Sequence, residues 1–139
     1  MSSERGQVVV MDDSWLILEK IRESLALAGY NVRTTTSLEV AAKLAKSSDL
    51  AVIDFHMPGM NGKEVLEHIK RTLPADSICQ FYLYTSDPEQ ASRYRVHGFD
   101  GAFLKKGDDG ALTTQVDAVF RTISLRKMAL RMRRERREA

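Results

Sequence analysis

Short apolar runs that each end at acidic residues constrain the fold of this chain more than any other feature. Residues 8–11 precede Asp12 and Asp13, and residues 50–53 precede Asp54. Runs this short and this apolar are typical of strands buried in a parallel sheet. Because the carboxyl ends of parallel strands meet at one sheet edge, we expect the three carboxylates to converge there.

Stretches with helical spacing of apolar residues separate these runs, so that strands and helices alternate along the chain. Further strands are expected at residues 31–35, 79–85 and 102–104, and the proline and glycines of residues 55–62 predict a loop. Five strands and five helices in alternation predict an α/β fold. Its doubly wound parallel sheet would carry helices on both faces.

Local signals predict where the helices begin and end. Gly29 stands where a left-handed residue ends the first helix, and Thr36 has the spacing of an N-cap in a capping box with Glu39. Asp87 begins the fourth helix as its N-cap, and Gly98 ends it. The apolar faces expected for the first, second and last helices are Ile17, Ile21, Leu25 and Ala28; Val40, Ala41, Leu44 and Ala45; and Leu112, Val116, Val119, Phe120 and Ile123.

At 139 residues the chain has the usual size of a single domain with its own core. Its one cysteine, Cys79, excludes an internal disulfide, and the first residues lack the apolar segment of a signal peptide. No apolar run approaches the roughly 18 residues of a membrane span. We therefore expect a cytoplasmic protein.

The residues at the strand ends also predict a chemistry. Three clustered carboxylates require a cation, and Mg²⁺ suits them because it prefers a few hard oxygen ligands. Asp54 is the candidate nucleophile, since a carboxylate beside Mg²⁺ can take a phosphoryl group as an acyl phosphate. Lys105 would supply a positive charge and Thr85 a hydroxyl donor. Each residue alone also fits an ordinary structural role, but their coincidence at four strand ends favours phosphoryl transfer.

On these residues the chain resembles the response-regulator receiver domains of two-component signalling, over about residues 7–125. The segments that carry the resemblance are VVVMDD, AVIDFHMPGMNG, LYTS and GFDGAFLK. It implies the flavodoxin-like strand order 2-1-3-4-5 and a histidine kinase or phosphotransfer protein that phosphorylates Asp54 in a phosphorelay. Phosphorylation would then remodel the face formed by the fourth helix, fifth strand and fifth helix. Such a domain is no enzyme beyond its own phosphotransfer and autodephosphorylation.

The resemblance also implies roles for single residues. Mg²⁺ would be held by Asp12, Asp13, Asp54 and the backbone carbonyl of His56. Thr85 would turn toward the phosphoryl group, and Lys105 would contact it. His56 and Asp87 stand where the family tunes the lifetime of the phosphoryl group, although Asp87 also fits the N-cap role.

Two positions depart from the family pattern. Ala102 stands where members usually carry the Tyr or Phe that swings inward with the switch threonine, so the aromatic switch is missing or relocated. Phe103 is adjacent but points to the opposite face of its strand. Lys106 follows Lys105 where many members have proline, and either lysine can be the ligand; the spacing from Gly98 favours Lys105.

The last helix is expected to begin near Asp108 or Asp109 and to continue into a basic extension. Residues 126–139 carry seven Arg and Lys and two Glu, a net charge of +5, whereas residues 1–125 carry −3. Beyond the core face of the last helix, Leu125, Met128 and Met132 lie nearly on its opposite side. We divide the chain into a disordered N-terminus (1–6), a receiver domain (7–125) and a basic helical extension or linker (126–139).

Three interpretations of the extension are open: a solvated end or linker, a seam for a homodimer or another protein, and a contact with nucleic acid or membrane. The face of the fourth helix, fifth strand and fifth helix is the other candidate for a dimer or partner surface. No base-reading module is evident, so nucleic-acid recognition would need an output domain that these residues do not contain.

Other functions remain alternatives on the same fold. Ala102 motivates a pseudo-receiver that binds a protein partner regardless of phosphorylation. A flavodoxin-type cofactor site is disfavoured, because the first strand leads into Asp12 and Asp13 and not into a phosphate-binding loop. A haloacid-dehalogenase-type phosphatase would need a second aspartate where His56 stands.

Overall fold

A computed structural model describes residues 5–57, 59–105 and 109–138 of the chain. The expectations for residues 1–4, for Pro58, for Lys106 and for Asp108 lie outside these ranges. Arg5 and Gly6, which were assigned to a disordered N-terminus, are bonded to the domain. The Arg5 backbone N–H donates to the Gly29 carbonyl (2.8 Å), and the Gly6 carbonyl accepts from Asn31 N–H (2.9 Å).

Strands and helices alternate along the described chain as predicted. The strands are β1 Gln7–Met11, β2 Asn31–Thr35, β3 Leu50–Asp54, β4 His56–Met57, β5 Met60–Asn61, β6 Gln80–Thr85 and β7 Gly101–Leu104. The helices are α1 Trp15–Leu27, α2 Leu38–Ala45, α3 Gly62–Thr72, α4 Pro88–Ser92 and α5 Asp109–Glu138.

Five parallel strands form the main sheet in the order β2-β1-β3-β6-β7. This is the predicted flavodoxin-like order 2-1-3-4-5, counted over the strands of that sheet. The strand order reverses beside β1, so β1 and β3 are neighbours although α1, β2 and α2 separate them in sequence. Met11 at the end of β1 is in register with Ile53 in β3, which brings the two acidic strand ends side by side.

Two apolar cores cover the faces of the sheet. One lies under α2 and α3 and contains Ala41, Leu66 and Phe81; the other lies under α1 and α5 and contains Leu18, Val116 and Phe120. As expected from strand alternation, Ala102 packs against the first core whereas Phe103 is buried in the second. The α1 face differs by one position from the prediction, since Leu18 is fully buried whereas Ile17 is 36% exposed.

Three local expectations were wrong. The N-cap of α2 is Ser37, whose hydroxyl accepts from Val40 N–H (3.3 Å), and not Thr36. The predicted loop after Asp54 contains a small antiparallel pair of strands, β4 and β5. The helix predicted between Asp87 and Gly98 is only α4, a single short element followed by turns, although Asp87 is its N-cap as expected.

The other helix ends follow the sequence signals. Gly29 has a φ of 102°, the left-handed conformation that ends α1. α3 begins with a capping box that the sequence reasoning missed, in which Asn61 and Glu64 satisfy each other's backbone N–H groups. α5 continues without interruption past residue 125, and every described side chain beyond Ile123 is exposed.

The corrected cap of α2 can be tested by paired substitutions. We expect Ser37→Ala to lower the free energy of unfolding by about 1 kcal/mol, because it removes the hydroxyl that satisfies a free N–H of the first turn. Thr36→Ala is the matched control and should change it by less than about 0.5 kcal/mol. Urea unfolding followed by circular dichroism measures both, and a larger effect at Thr36 would contradict the assignment.

Candidate phosphoryl-acceptor site

The ends of β1 and β3 bring three carboxylates together. Asp12 directly follows β1, Asp54 is the last residue of β3, and Asp13 lies beside them at the start of the loop to α1. One carboxylate oxygen of each residue lies within 4.8 Å of the other two. The cluster predicted from the strand ends is therefore present.

Burial makes this cluster electrostatically costly. Asp12 is 1% exposed and Asp54 is 5% exposed, whereas Asp13 is exposed. Burial raises the pKa of Asp12, as does the charge of Asp54, while the Ser14 N–H bonded to Asp12 Oδ1 (2.9 Å) opposes the rise. Within the described ranges, the buried Asp12 Oδ2 has no hydrogen-bond partner. The Ser14 hydrogen bond does not balance the negative charge of the cluster, so the site favours a positively charged group.

Lys105 supplies part of that charge. Its Nζ lies 3.2 Å from Asp54 Oδ1 and 3.6 Å from Asp12 Oδ2, with the ammonium above the Tyr84 ring. The Lys105 backbone N–H donates to the Thr85 carbonyl (2.8 Å), which fixes the start of the side chain at the end of β7. The structure thus places Lys105 in the cluster, as its spacing from Gly98 favoured.

Thr85 and Asp87 are linked by a turn at the end of β6. The Thr85 side chain is buried, and its hydroxyl oxygen accepts from Asp87 N–H (3.1 Å), which leaves the hydroxyl proton available for another acceptor. The Asp87 carboxylate accepts from Glu89 N–H (3.0 Å) as the cap of α4. Asp87 therefore has the structural role that its position before Pro88 predicted.

His56 lies at the rim of the cluster. Its backbone N–H donates to Asp54 Oδ1 across 3.4 Å, and its exposed ring meets the Phe55 ring edge-on at 5.0 Å. A surface cleft beside it is lined by residues that include Asp13, Met57 and Glu64. His56 therefore lies beside Asp54, and it lines the same cleft as Asp13.

The structure shows one contact near Asp54 that the sequence did not indicate. Phe55 packs against the His97 ring with 4.7 Å between the ring centroids, and His97 Nε2 is hydrogen-bonded to Gln90 Oε1 (2.8 Å). Phe55 and His97 are 42 positions apart in sequence, and no motif spacing relates them. They connect the residue after Asp54 to the segment that includes α4.

The position of Ala102 confirms that no aromatic side chain of β7 lies on the α4 side of the sheet. Ala102 is half-buried against the core under α2 and α3. Phe103, on the opposite face, stacks on Tyr82 with 4.6 Å between their centroids. Tyr82 and Tyr84 both pack against the core under α1 and α5.

Comparison with known proteins identifies the family. The model of the response regulator receiver domain matches residues 8–117. The chain belongs to this family, whose members are the receiver domains of two-component response regulators and act in signal transduction. The family is one of signalling modules that typically are not enzymes. None of the helices in the described ranges has the length and apolar character needed to cross a membrane.

Curated relatives contain this domain as a part. The chain is 32% identical over 101 residues to a cyclic di-GMP phosphodiesterase of Thermotoga maritima and 33% identical over 123 residues to the DNA-binding transcriptional regulator NtrC of Salmonella typhimurium. These matches cover 71% and 87% of the chain. The chain spans only 26% and 25% of the length of these two relatives.

Solved structures share the fold. The response regulator TrrA of Thermotoga maritima, solved in complex with Mg²⁺ and BeF, has a TM-score of 0.67 at 26% identity, with 81% of this chain and 97% of that chain covered. The chemotaxis protein CheY4 of Vibrio cholerae has a TM-score of 0.68 at 23% identity, covering 82% and 98% of the two chains.

Because the buried negative charge of Asp12 is poorly compensated, its removal is expected to increase the stability of the protein. We expect Asp12→Asn to raise the free energy of unfolding by about 1–2 kcal/mol in EDTA, because it removes a buried charge that Asp54 repels. Urea unfolding with EDTA present measures this change.

Asp49 is the matched control, since it is also a buried aspartate (8% exposed) but accepts from Gln7 N–H (2.9 Å) and pairs with Lys127 Nζ (2.6 Å). Asp49→Asn should destabilise the protein by about 1–3 kcal/mol. Destabilisation of similar size by both substitutions would contradict the view that the buried charge of Asp12 is poorly compensated.

Proposed function

We propose that the chain is a phosphoacceptor domain that takes one phosphoryl group onto Asp54. The observation that carries the proposal is the position of Lys105 Nζ, 3.2 Å from Asp54 Oδ1 within a cluster of three carboxylates. The single charge of Lys105 cannot neutralise three carboxylates, so the cluster can accept a further cation. A carboxylate that is held between cations is suited to receive a dianionic phosphoryl group.

Mg²⁺ is the cation that fits these donors. Asp12, Asp13 and Asp54 provide hard oxygen atoms within 4.8 Å of one another, and no described residue donates a hydrogen bond to the buried Asp12 Oδ2. We propose that these residues and the His56 backbone carbonyl hold the ion. When bound, Mg²⁺ would offset the charge that develops on the phosphoryl oxygens.

The residues of the chain would divide the transfer among them. A carboxylate oxygen of Asp54 attacks phosphorus, the bond from phosphorus to the donor nitrogen or oxygen breaks, and the donor leaves with the bonding electron pair. Lys105 can exchange its contact with Asp54 for one with a phosphoryl oxygen. The Thr85 hydroxyl can donate its proton to the same group while its oxygen still accepts from Asp87 N–H.

Hydrolysis of the acyl phosphate would return the domain to its resting state. We propose that His56, exposed at the cleft that Asp13 also lines, controls how easily water reaches the phosphoryl group. Asp87 lies two residues beyond Thr85 but already caps α4, so its influence would come through the turn that it forms with Thr85. The only reactions catalysed would be phosphotransfer to Asp54 and autodephosphorylation.

The proposed donor is a histidine kinase or a phosphotransfer protein, in a cytoplasmic two-component pathway. The proposed output surface is the face of α4, β7 and α5, through which the domain would control another protein or a separate output domain. Any contact with nucleic acid would depend on such an output domain. Membership of the receiver family supports these partners.

Ala102 favours one alternative function, that of a pseudo-receiver. Because Ala102 occupies the α4 side of β7, the usual aromatic coupling between Thr85 and the output face would be lacking. The domain could then bind its partner equally well with and without phosphorylation. Under the phosphoacceptor proposal, the contact of Phe55 with His97 would provide another route by which a change at Asp54 reaches α4.

Intact-mass spectrometry tests the phosphoacceptor proposal. We expect the chain to gain the mass of one phosphoryl group when it is incubated with Mg²⁺ and acetyl phosphate, and to gain nothing in EDTA. Asp54→Asn should abolish the gain, since an amide is a poor nucleophile. Asp100→Asn is the control, because this carboxylate accepts from Phe81 N–H at the far end of the sheet. A wild-type chain that stays unmodified would sink the proposal.

Hydrogen exchange separates the two functions. If phosphorylation is read out at the α4 side, protection of residues 87–98 should change at least about twofold on phosphorylation, and Phe55→Leu should reduce the change while the mass gain persists. Equal exchange in both states, with the mass gain present, would favour the pseudo-receiver.

A further inference from the structure

The outer face of α5 carries an apolar stripe that the domain itself does not cover. Leu125, Met128 and Met132 are 65%, 54% and 49% exposed. Leu125 follows the buried Val116 by nine residues, and Met132 follows the buried Ile123 by nine, which turns them to the opposite side of the helix at about 100° per residue. The stripe therefore cannot pack on the core of its own chain.

A groove of about 440 Å³ lies at the N-terminal end of this stripe. It is lined by Arg5, Phe120, Arg121, Ser124, Leu125 and Met128. The last four residues stand at positions i, i+3, i+4 and i+7 of one helix, which is the arrangement that receives a side chain from a facing helix in knobs-into-holes packing. The groove thus has the form of a socket for one apolar side chain.

We propose that the groove receives Met132 of a second copy of this chain, in an antiparallel pair of α5 helices. When the two-fold axis lies at Met128, residues four positions before and after it face each other, so Ser124 is opposite Met132. Residues seven positions away also meet, which sets Arg121 opposite Glu135 twice by symmetry. All four positions are exposed in the single chain.

The distribution of charge selects this orientation. Residues 126–139 carry a net charge of +5, and residues 1–125 carry −3. In a parallel pair the two basic segments would lie side by side and repel each other. In the antiparallel pair with its axis at Met128, the two basic segments overlap only over residues 126–130, and each Glu135 lies opposite Arg121 of the other copy. The domains lie on opposite sides of the helix pair, because the stripe faces away from each core.

Sedimentation velocity of the 139-residue chain tests the association. We expect a reversible dimer that weakens at least about fivefold when NaCl rises from about 0.05 M to about 0.5 M, because salt screens the attraction. Met132→Ser should weaken the dimer about tenfold or more. Leu130→Ser, which removes an exposed apolar side chain from another side of the same helix, is the control and should leave the dimer unchanged.

Charge reversal and cross-linking test the orientation. Arg121→Glu alone should weaken the dimer about tenfold, and adding Glu135→Arg should restore it. In a Cys79→Ala background, a mixture of Ser124→Cys and Met132→Cys chains should form mixed disulfides, whereas Leu125→Cys alone should not. A monomer at all concentrations and salt conditions, a dimer that salt strengthens, or efficient cross-linking of Leu125→Cys with itself would each overturn the proposal.

Discussion

The close approach of two buried carboxylates, Asp12 and Asp54, is the constraint on which the rest of the site depends. The parallel register of Met11 with Ile53 fixes the two strand ends side by side, and burial prevents water from screening them. The fold must then supply positive charge at this edge. Lys105 supplies one cation from the end of β7, and the oxygen atoms left over suit a divalent ion.

The poorly compensated carboxylate of Asp12 lowers the stability of the fold but suits the site to binding a cation. A core built for stability would satisfy every buried oxygen, as the chain does at Asp49 with a backbone N–H and the Lys127 ammonium. In the part of the chain that the structure describes, Asp12 Oδ2 accepts no hydrogen bond, and the Lys105 ammonium lies 3.6 Å away. Buried groups of this kind are retained at functional sites, where a ligand completes what the protein leaves unsatisfied.

Much of the site could be predicted from the sequence because it depends on strand ends. An apolar run followed by an acid predicts both a buried strand and the edge at which its acid lies, so Asp12, Asp54 and Lys105 were located without coordinates. The N-cap of α2 could not be placed, since Thr36 and Ser37 are adjacent and both can cap. Only the extended backbone of Ser37 decides between them.

Contacts between distant segments were beyond prediction for a different reason. The packing of Phe55 on His97 depends on how the turns after α4 fold back, and neither residue lies in a motif that relates them. The shortness of α4 has a similar cause, because Asp87 and Gly98 mark the limits of the segment but not its conformation. Helix start signals report the first turn and carry no information on the following turns.

The central claim is that the three carboxylates hold Mg²⁺ and direct a phosphoryl group onto Asp54. A crystal structure of the chain with Mg²⁺ and beryllofluoride, a phosphoryl mimic, tests it most directly. We expect beryllium bonded to a carboxylate oxygen of Asp54, Lys105 Nζ on a fluorine, and Mg²⁺ in contact with Asp12 or Asp13. Beryllofluoride absent from Asp54 at saturating concentrations, or Mg²⁺ bound elsewhere, would contradict the claim.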